Sequence, residues 1–449
     1  MGSHGLRLIF HSPGMLARGC VVGQERVMGK MAQAFYAIPT ARVQAGPAPG
    51  EDPAERFVYA MCDGVTDLSV PAFLPVHRSA LRRLLARGAV RRCPKGFRGP
   101  APDIDGVLLS VTGRCNMRCR HCYMGAPEGQ GELPLETMRR ILDALCEAGA
   151  MQISLTGGEP LMRADLMELT DSILARGMAI TDIFTNATLI DQTFLAELEA
   201  RALRPRFHVS FDGVGRHDAM RGVPGAESAA RRGITALISA GHRVILTTSV
   251  DENTLPALEK TYAFAKAAGV HAWGIGRPVA AGCARSMGRV ADGDFACACH
   301  ALKALWEADG RPFTLGLESY FSYAVTRDMQ HDIPEFAPEQ YACGSCRAFP
   351  HITHEGILMP CPCYADTEFA GAFPSLVAQD WHTAWHDPTL RRVMDIRKAE
   401  VLRANPDCAR CERLADCRTG CRVSAVLAGG GLLGRDEITC NIFRKGLRA

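Results

Sequence analysis

Neither sign of charge dominates this sequence: 51 Lys and Arg face 48 Asp and Glu, for a formal net charge of +3. Composition therefore makes no general case for a nucleic-acid partner. No uncharged apolar run is long enough to span a membrane. No N-terminal stretch combines a basic start, an apolar core and a cleavage site. Membrane and export readings fall away together, and the expectation is a cytoplasmic protein. Without export, disulfide scaffolding is a weak explanation for the 19 cysteines. Those cysteines gather in short CxxC-type spacings over two regions, which suits metal binding in an oxygen-sensitive protein. The rest of the composition, 47% hydrophobic and 22% charged over 449 residues, is that of a globular chain with room for about two to four domains.

Charge is less even along the chain. Residues 1–99 hold 14 Lys or Arg against 6 Asp or Glu, a local excess of +8 that leaves the remainder acidic. A basic front end of this kind attracts an acidic partner. Residues 1–27 read as an arm. Between Met28 and Ala45 there is strand-like text, followed by the turn PAPGEDP and helical text from Ala54 to Cys62. Asp63-Gly64 makes a turn, Val76 to Leu85 carries apolar residues at helical spacing, and Gly88 stops that helix before a short strand, AVRRC. Residues 28–96 thus read as a winged-helix-like domain. Residues 97–104, in Pro- and Gly-rich text, read as a linker.

From Val107 a strand–helix rhythm sets in. Strands are expected at 107–112, 151–155, 180–184, 207–211, 243–249 and 270–275, and helices at 135–148, 164–176, 191–200, 227–240 and 255–268. Helices of this length between β-rich apolar runs mark parallel β/α units. Six units are too few for a closed (β/α)8 barrel. The expected fold class is therefore α/β: a partial (β/α)6 barrel over 105–290, following the winged-helix-like domain. A connector over 291–342, with a helix from Phe295 to Glu307, leads to a cysteine-rich domain over 343–449. The connector's aromatic run from Glu318 to Tyr323 reads as packing rather than as a substrate-facing segment. Such folds place their chemistry at the C-terminal ends of the strands.

There the stretch SVTGRCNMRCRHCY carries Cys115, Cys119 and Cys122 on one loop. Three thiolates can bind three irons of a [4Fe-4S] cube and leave the fourth open; a zinc knuckle is the plainer alternative. The CxxxCxxC spacing, with Tyr123 directly after it, resembles the signature of the radical S-adenosylmethionine (SAM) superfamily. That resemblance implies SAM chelated to the open iron and cleaved reductively to a 5'-deoxyadenosyl radical. It also implies an electron donor such as a flavodoxin or ferredoxin as partner.

The same resemblance extends over successive strand ends. Gly157, Gly158, Glu159 and Pro160 form a GGEP turn whose glycines admit close backbone approach and whose carboxylate can receive a charged amine. In the family this turn contacts SAM's amino group. Thr185 and Asn186, in FTNATLI, are similar to the family's TNG segment, with Ala187 in the glycine position. Ser210 and Asp212, in SFDG, match its SxDG. Ser210 is then expected near SAM's ribose or carboxylate, and Asp212 is expected to hold the turn from His217 to Arg221. Arg231 or Arg232 is expected at SAM's carboxylate, with Arg232 the better alignment. Singly, each of these polar residues reads as a helix cap or a loop salt bridge; their order along the chain carries the resemblance.

The second cysteine field runs Cys343, Cys346, Cys361, Cys408, Cys411, Cys417, Cys421 and Cys440. Eight thiolates can complete two cubic clusters, and on spacing alone zinc competes equally. The pattern C-x9-G-x4-C, C-x2-C-x5-C-x3-C and a final C resembles the SPASM extension of radical SAM enzymes. It implies iron–sulfur and an interleaved ligation. Cys343, Cys346, Cys361 and Cys421 would hold the first auxiliary cluster, and Cys408, Cys411, Cys417 and Cys440 the second, making three [4Fe-4S] clusters in all. Cys363 is an extra thiol, and Cys283, Cys297 and Cys299 have no partner spacing. Pro362 stands where the sulfatase-maturating branch has a catalytic aspartate, leaving nearby Asp366 as the candidate catalytic residue.

Within residues 28–96, the phrase YAMCDGVTDLSV…LRRLLARGAVRR resembles the PqqD-like domain that recognises leader peptides. A winged-helix adaptor without a peptide role is the alternative. Together these resemblances imply a peptide maturase that abstracts hydrogen from a ribosomally made precursor with an acidic leader and forms a carbon–carbon or thioether crosslink. The competing expectations are a SPASM enzyme acting on a small molecule or tetrapyrrole, a peptide epimerase, and a non-enzymatic electron-carrying module.

Overall fold

The computed structural model describes residues 103–124, 131–317 and 336–444, with 37–39, 54–55, 58, 75–86 and 90–92 from the front region. The expected arm, the Asp63-Gly64 turn, most of the linker and the aromatic run from Glu318 to Tyr323 lie outside the described residues. In the front region, β1 (Ala37–Pro39) pairs antiparallel with β2 (Val90–Arg92), Ala37 opposite Arg92 and Pro39 opposite Val90. The helix Pro75–Ala86 takes in the expected Val76 to Leu85 and buries Ala80, Leu81 and Leu84. Its Arg83 pairs with buried Glu55 at 2.8 Å.

Apolar and polar residues alternate along the strands of the second region, so that one face packs under helices and the other faces inward. These strands are β3 (Gly106–Ser110), β4 (Gln152–Thr156), β5 (Ala179–Thr185), β6 (Arg206–Ser210), β7 (Arg243–Ser249), β8 (Ala272–Gly276), β9 (Thr314–Leu317), β10 (His351–Ile352) and β11 (Leu358–Met359). They form one sheet in the order β11-β10-β3-β4-β5-β6-β7-β8-β9. Every pairing is parallel except β10 with β11, so the sheet is mixed. Val107, Leu109, Ile153, Leu155, Phe207, Val209, Val244, Leu246, Trp273 and Leu315 are all buried in the core. The helix Leu135–Glu147 answers them with Met138, Ile141, Leu142 and Leu145, at the i, i+3, i+4, i+7 spacing of a single face.

The six expected units are present, and the sheet is wider than they are. A seventh parallel strand, β9, lies beyond the expected barrel limit, and β10 and β11 come from the cysteine-rich region. With four, two and two residues, these strands are too short to leave a readable periodicity. Their pairing has a consequence for the site: β10 lies beside β3, His351 opposite Leu108, with the Ser110 hydroxyl 2.8 Å from His351 Nε2. The cysteine-rich region is thereby pinned to the strand that leads into the first cysteine loop.

Candidate functional site

β3 runs directly into the loop that carries Cys115, Cys119 and Cys122, and three neighbouring strand ends hold that loop in place. From β4, Gly158 N donates to Thr112 O at 2.9 Å and Glu159 N to Arg114 O at 2.8 Å. A Cβ at Gly157, whose φ is +147°, would stand 2.4 Å from Thr112 O, and one at Gly158 would stand 2.2 Å from Arg114 O. The glycine pair therefore admits the backbone of the cysteine loop, where the sequence suggested room for a ligand. From β5, Asn186 Nδ2 donates to Asn116 Oδ1 at 2.7 Å, and Asn116 Nδ2 donates to Thr188 Oγ1 at 2.8 Å. Asn116 and Thr188 were not singled out from sequence, although Asn116 directly follows Cys115.

From β6 the chain enters a short helix, His217–Arg221, whose last carbonyls accept from Arg118 N at 2.8 Å and Arg120 N at 2.9 Å. Asp212 is fully buried and pairs with Arg221 at 2.7 Å; its other oxygen accepts Ser249 N at 3.0 Å. Arg221 in turn donates to Cys119 Sγ at 3.4 Å. Asp212 thus holds the turn from His217 to Arg221, as the sequence suggested, and that turn also places a buried cation on a loop thiol. Burial pushes the Cys115 thiol up to about 11.

Glu159 is 1% exposed. Its Oε1 accepts from Thr185 Oγ1 at 2.7 Å and Leu161 N at 3.3 Å, and its Oε2 accepts Asn186 N at 2.7 Å. Burial raises its carboxyl to about 7 against the pull of those donors. Arg231 stacks over Phe264 at 4.1 Å and over Phe211, the residue after Ser210, at 5.4 Å. Arg232 is exposed and donates to Ser228 Oγ at 2.9 Å on the outer face of its helix. Arg231 thus lies over the residue that follows β6, and it also pairs with Glu227 at 2.8 Å. Asp366 is committed elsewhere: its carboxylate pairs with Arg285 at 2.8 Å and accepts Gly282 N at 2.6 Å. Gly282 lies against Cys122 O, and Cys283 N donates to that carbonyl at 2.9 Å. Asp366, the candidate catalytic residue, thus braces the segment that lies under the first cysteine loop.

The second cysteine field separates into two sets. Cys343 and Cys346 sulfurs lie 3.3 Å apart. Cys361 is hydrogen-bonded to Cys346 and Cys363, and these donors hold its thiol well below the ordinary range. Cys346, Cys361, Cys421 and Cys343 all lie within electrostatic reach of buried Tyr364, whose hydroxyl burial pushes above its ordinary range. The second set, Cys408, Cys411, Cys417 and Cys440, lines one small cavity with Thr419, Arg435 and Asp436. Tyr123 of the first loop is held by Thr156 and lies near Cys361 and Cys363, so the two fields adjoin. Among the described residues no three Cys, His, Asp or Glu side chains are arranged for a single metal ion. Each iron of a cube takes its own thiolate, and the all-cysteine donor chemistry of both sets fits that demand. Nor is any helix among the described residues long and apolar enough to cross a membrane.

Residues 109–265 match the model of the radical SAM superfamily. An AdoMet-dependent heme synthase from Oleidesulfovibrio alaskensis is 30% identical over 217 residues, covering 47% of this chain and 55% of the relative. The chain thus spans about half the length of that relative. A PqqA peptide cyclase from Granulibacter bethesdensis is 26% identical over 62% of this chain and 72% of its own. In fold, Streptococcus suis SuiB bound to precursor peptide SuiA superimposes with a TM-score of 0.59 at 15% identity, over 81% of this chain and 80% of that one.

Proposed function

We propose that the chain, which carries a radical SAM domain over residues 109–265, is a three-cluster enzyme that modifies a ribosomally made precursor peptide. The observation that carries this reading is the separation of eight further cysteines into two sets, one of them beside Tyr123 of the first loop. Cys115, Cys119 and Cys122 would hold the first cluster, which supplies the electron that cleaves SAM to a 5'-deoxyadenosyl radical. The chain's own residues then bind and orient. Arg221 places positive charge on the Cys119 corner, and Asn116 fixes the loop against Asn186. Thr185, Asn186 and Ser210 would line the SAM side, and Arg231, which also pairs with Glu227 at 2.8 Å, would supply the cation for its carboxylate. Residues 28–96 would hold the acidic leader by adding a strand to the small sheet of β1 and β2. A fold relative that binds its precursor peptide and a peptide cyclase among the sequence relatives support this choice. The heme synthase likeness favours the second reading, a tetrapyrrole substrate.

The two readings separate in one anaerobic assay with SAM and reductant, given either the precursor peptide encoded nearest the gene or an iron tetrapyrrole. Peptide-stimulated 5'-deoxyadenosine and a peptide lighter by two hydrogens are expected. A mass-neutral peptide product identifies an epimerase, and an unchanged peptide with an altered tetrapyrrole rejects the peptide reading.

Glu159 has one acceptor position left on Oε2 for SAM's cationic amine. Replacing it with Ala is expected to weaken SAM binding about tenfold or more at unchanged iron content. Because burial holds its carboxyl near 7, the ligand-free site carries a proton below that pH, and cation binding must expel it. SAM affinity should therefore fall about tenfold per pH unit below about pH 7 in the wild type, and the Glu159→Gln profile should be flat. Isothermal titration at three pH values checks both. Unchanged affinity in the Ala variant removes Glu159 from the SAM site.

A further inference from the structure

We infer that Arg422 is a buried cation shared by the two auxiliary cysteine sets, a positioning residue that raises the reduction potential of the clusters they hold. The inference rests on the three-cluster reading. Arg422 opens the helix Arg422–Leu427 directly after Cys421 and is 3% exposed. Its Nη1 donates to Gly434 O at 2.6 Å and Leu432 O at 3.2 Å, and its Nη2 donates to Thr419 O. Its Nε is buried with no hydrogen-bond partner.

Arg422 lies between the two sets, bonding the carbonyl of Thr419 and directly following Cys421 in the chain. Thr419 lines the cavity of Cys408, Cys411, Cys417 and Cys440, whereas Cys421 stands with Cys343, Cys346 and Cys361 around Tyr364. Backbone carbonyls take up Nη1 and Nη2 without cancelling the charge. Among its charged surroundings are Asp436, Cys421, Tyr364 and Cys417. Asp436 accepts Cys421 N at 2.8 Å and Thr439 Oγ1 at 2.6 Å, and because these donors are neutral it keeps its charge and offsets part of the guanidinium's field. Reduction of a four-thiolate cluster adds one negative charge to an already anionic group. In a low-dielectric interior a cation at this position favours the reduced form of both clusters. The turn between the sets is also unusual, with Arg418, Thr419 and Gly420 at φ of 53°, 75° and 69°. Arg422 bonds the carbonyl of its middle residue, so it ties cluster spacing to charge.

The test is an anaerobic redox titration followed by electron paramagnetic resonance. It uses the full chain with Cys115, Cys119 and Cys122 replaced by Ala, so that only auxiliary signals remain. In this background Arg422→Gln is expected to favour the oxidised clusters about tenfold, lowering their one-electron potentials by about 59 mV. Arg422→Lys, which keeps the charge, should shift them by less than half as much. Unshifted potentials in a fully loaded Gln variant overturn the inference. If the Gln variant fails to load iron, retention of both clusters near wild-type potential in Arg422→Lys supports the charge role. Equal iron loss in both variants makes the residue a structural prop and overturns it. Absence of auxiliary signals from the parent chain rejects the three-cluster reading itself, a separate outcome.

Discussion

Alanine at Cys115, Cys119 and Cys122 together is expected to abolish SAM cleavage and to remove about four of about twelve irons. The selectivity follows from how the loop is held. Its backbone is pinned by Gly158, Glu159, Met220 and Arg221, and its Asn116 side chain by Asn186 and Thr188. None of these bonds needs a thiol, so the loop keeps its path when the sulfurs are gone. Removing the sulfurs does relieve Arg221 of a partner at Cys119, while its ion pair with Asp212 remains. The cysteine sets around Tyr364 and in the Thr419 cavity belong to other segments of the chain and should stay loaded. Iron and 5'-deoxyadenosine measured on one preparation check this. Residual cleavage by the triple variant would place the SAM site elsewhere.

Deleting residues 1–98 is the second large effect. Iron content and slow uncoupled SAM cleavage are expected to persist, because the sheet, the cysteine loop and both further sets lie beyond residue 102. Modification of the full precursor should fall about 100-fold or more, since a bound leader raises the local concentration of the tethered core peptide. The +8 excess in residues 1–99 also makes leader binding weaken with salt. Fluorescence anisotropy with labelled leader at two salt concentrations, on intact and truncated chains, measures this directly. Equal precursor turnover by both forms transfers preference to the tetrapyrrole substrate.

The barrel units could be read from sequence because each strand and helix repeats its own period over a long enough span. Leu135–Glu147 buries one face at helical spacing, and β6 alternates Phe207 and Val209 with Arg206 and His208. β9 and β10 escaped because four and two residues carry no period. Cysteine positions were legible for a different reason: local spacing alone groups them. What spacing cannot give is the partner across the fold. Arg221 meets Cys119 across 102 residues, and Asn186 meets Asn116 across 70. That Arg231 rather than Arg232 lies over Phe211 depends on which side of one helix faces it, and adjacent positions differ there by about 100°. Nor does spacing give the partners of Asp366, Arg285 and the Gly282 N–H, which lie 81 and 84 residues away.

The central claim is that three cysteine sets hold three iron–sulfur clusters, and metal analysis of anaerobically reconstituted chain tests it most directly. About twelve irons and about twelve sulfides per chain, with no zinc, is the predicted result. About four irons with zinc retained at the second cysteine field, in a preparation that still cleaves SAM and modifies peptide, would contradict it.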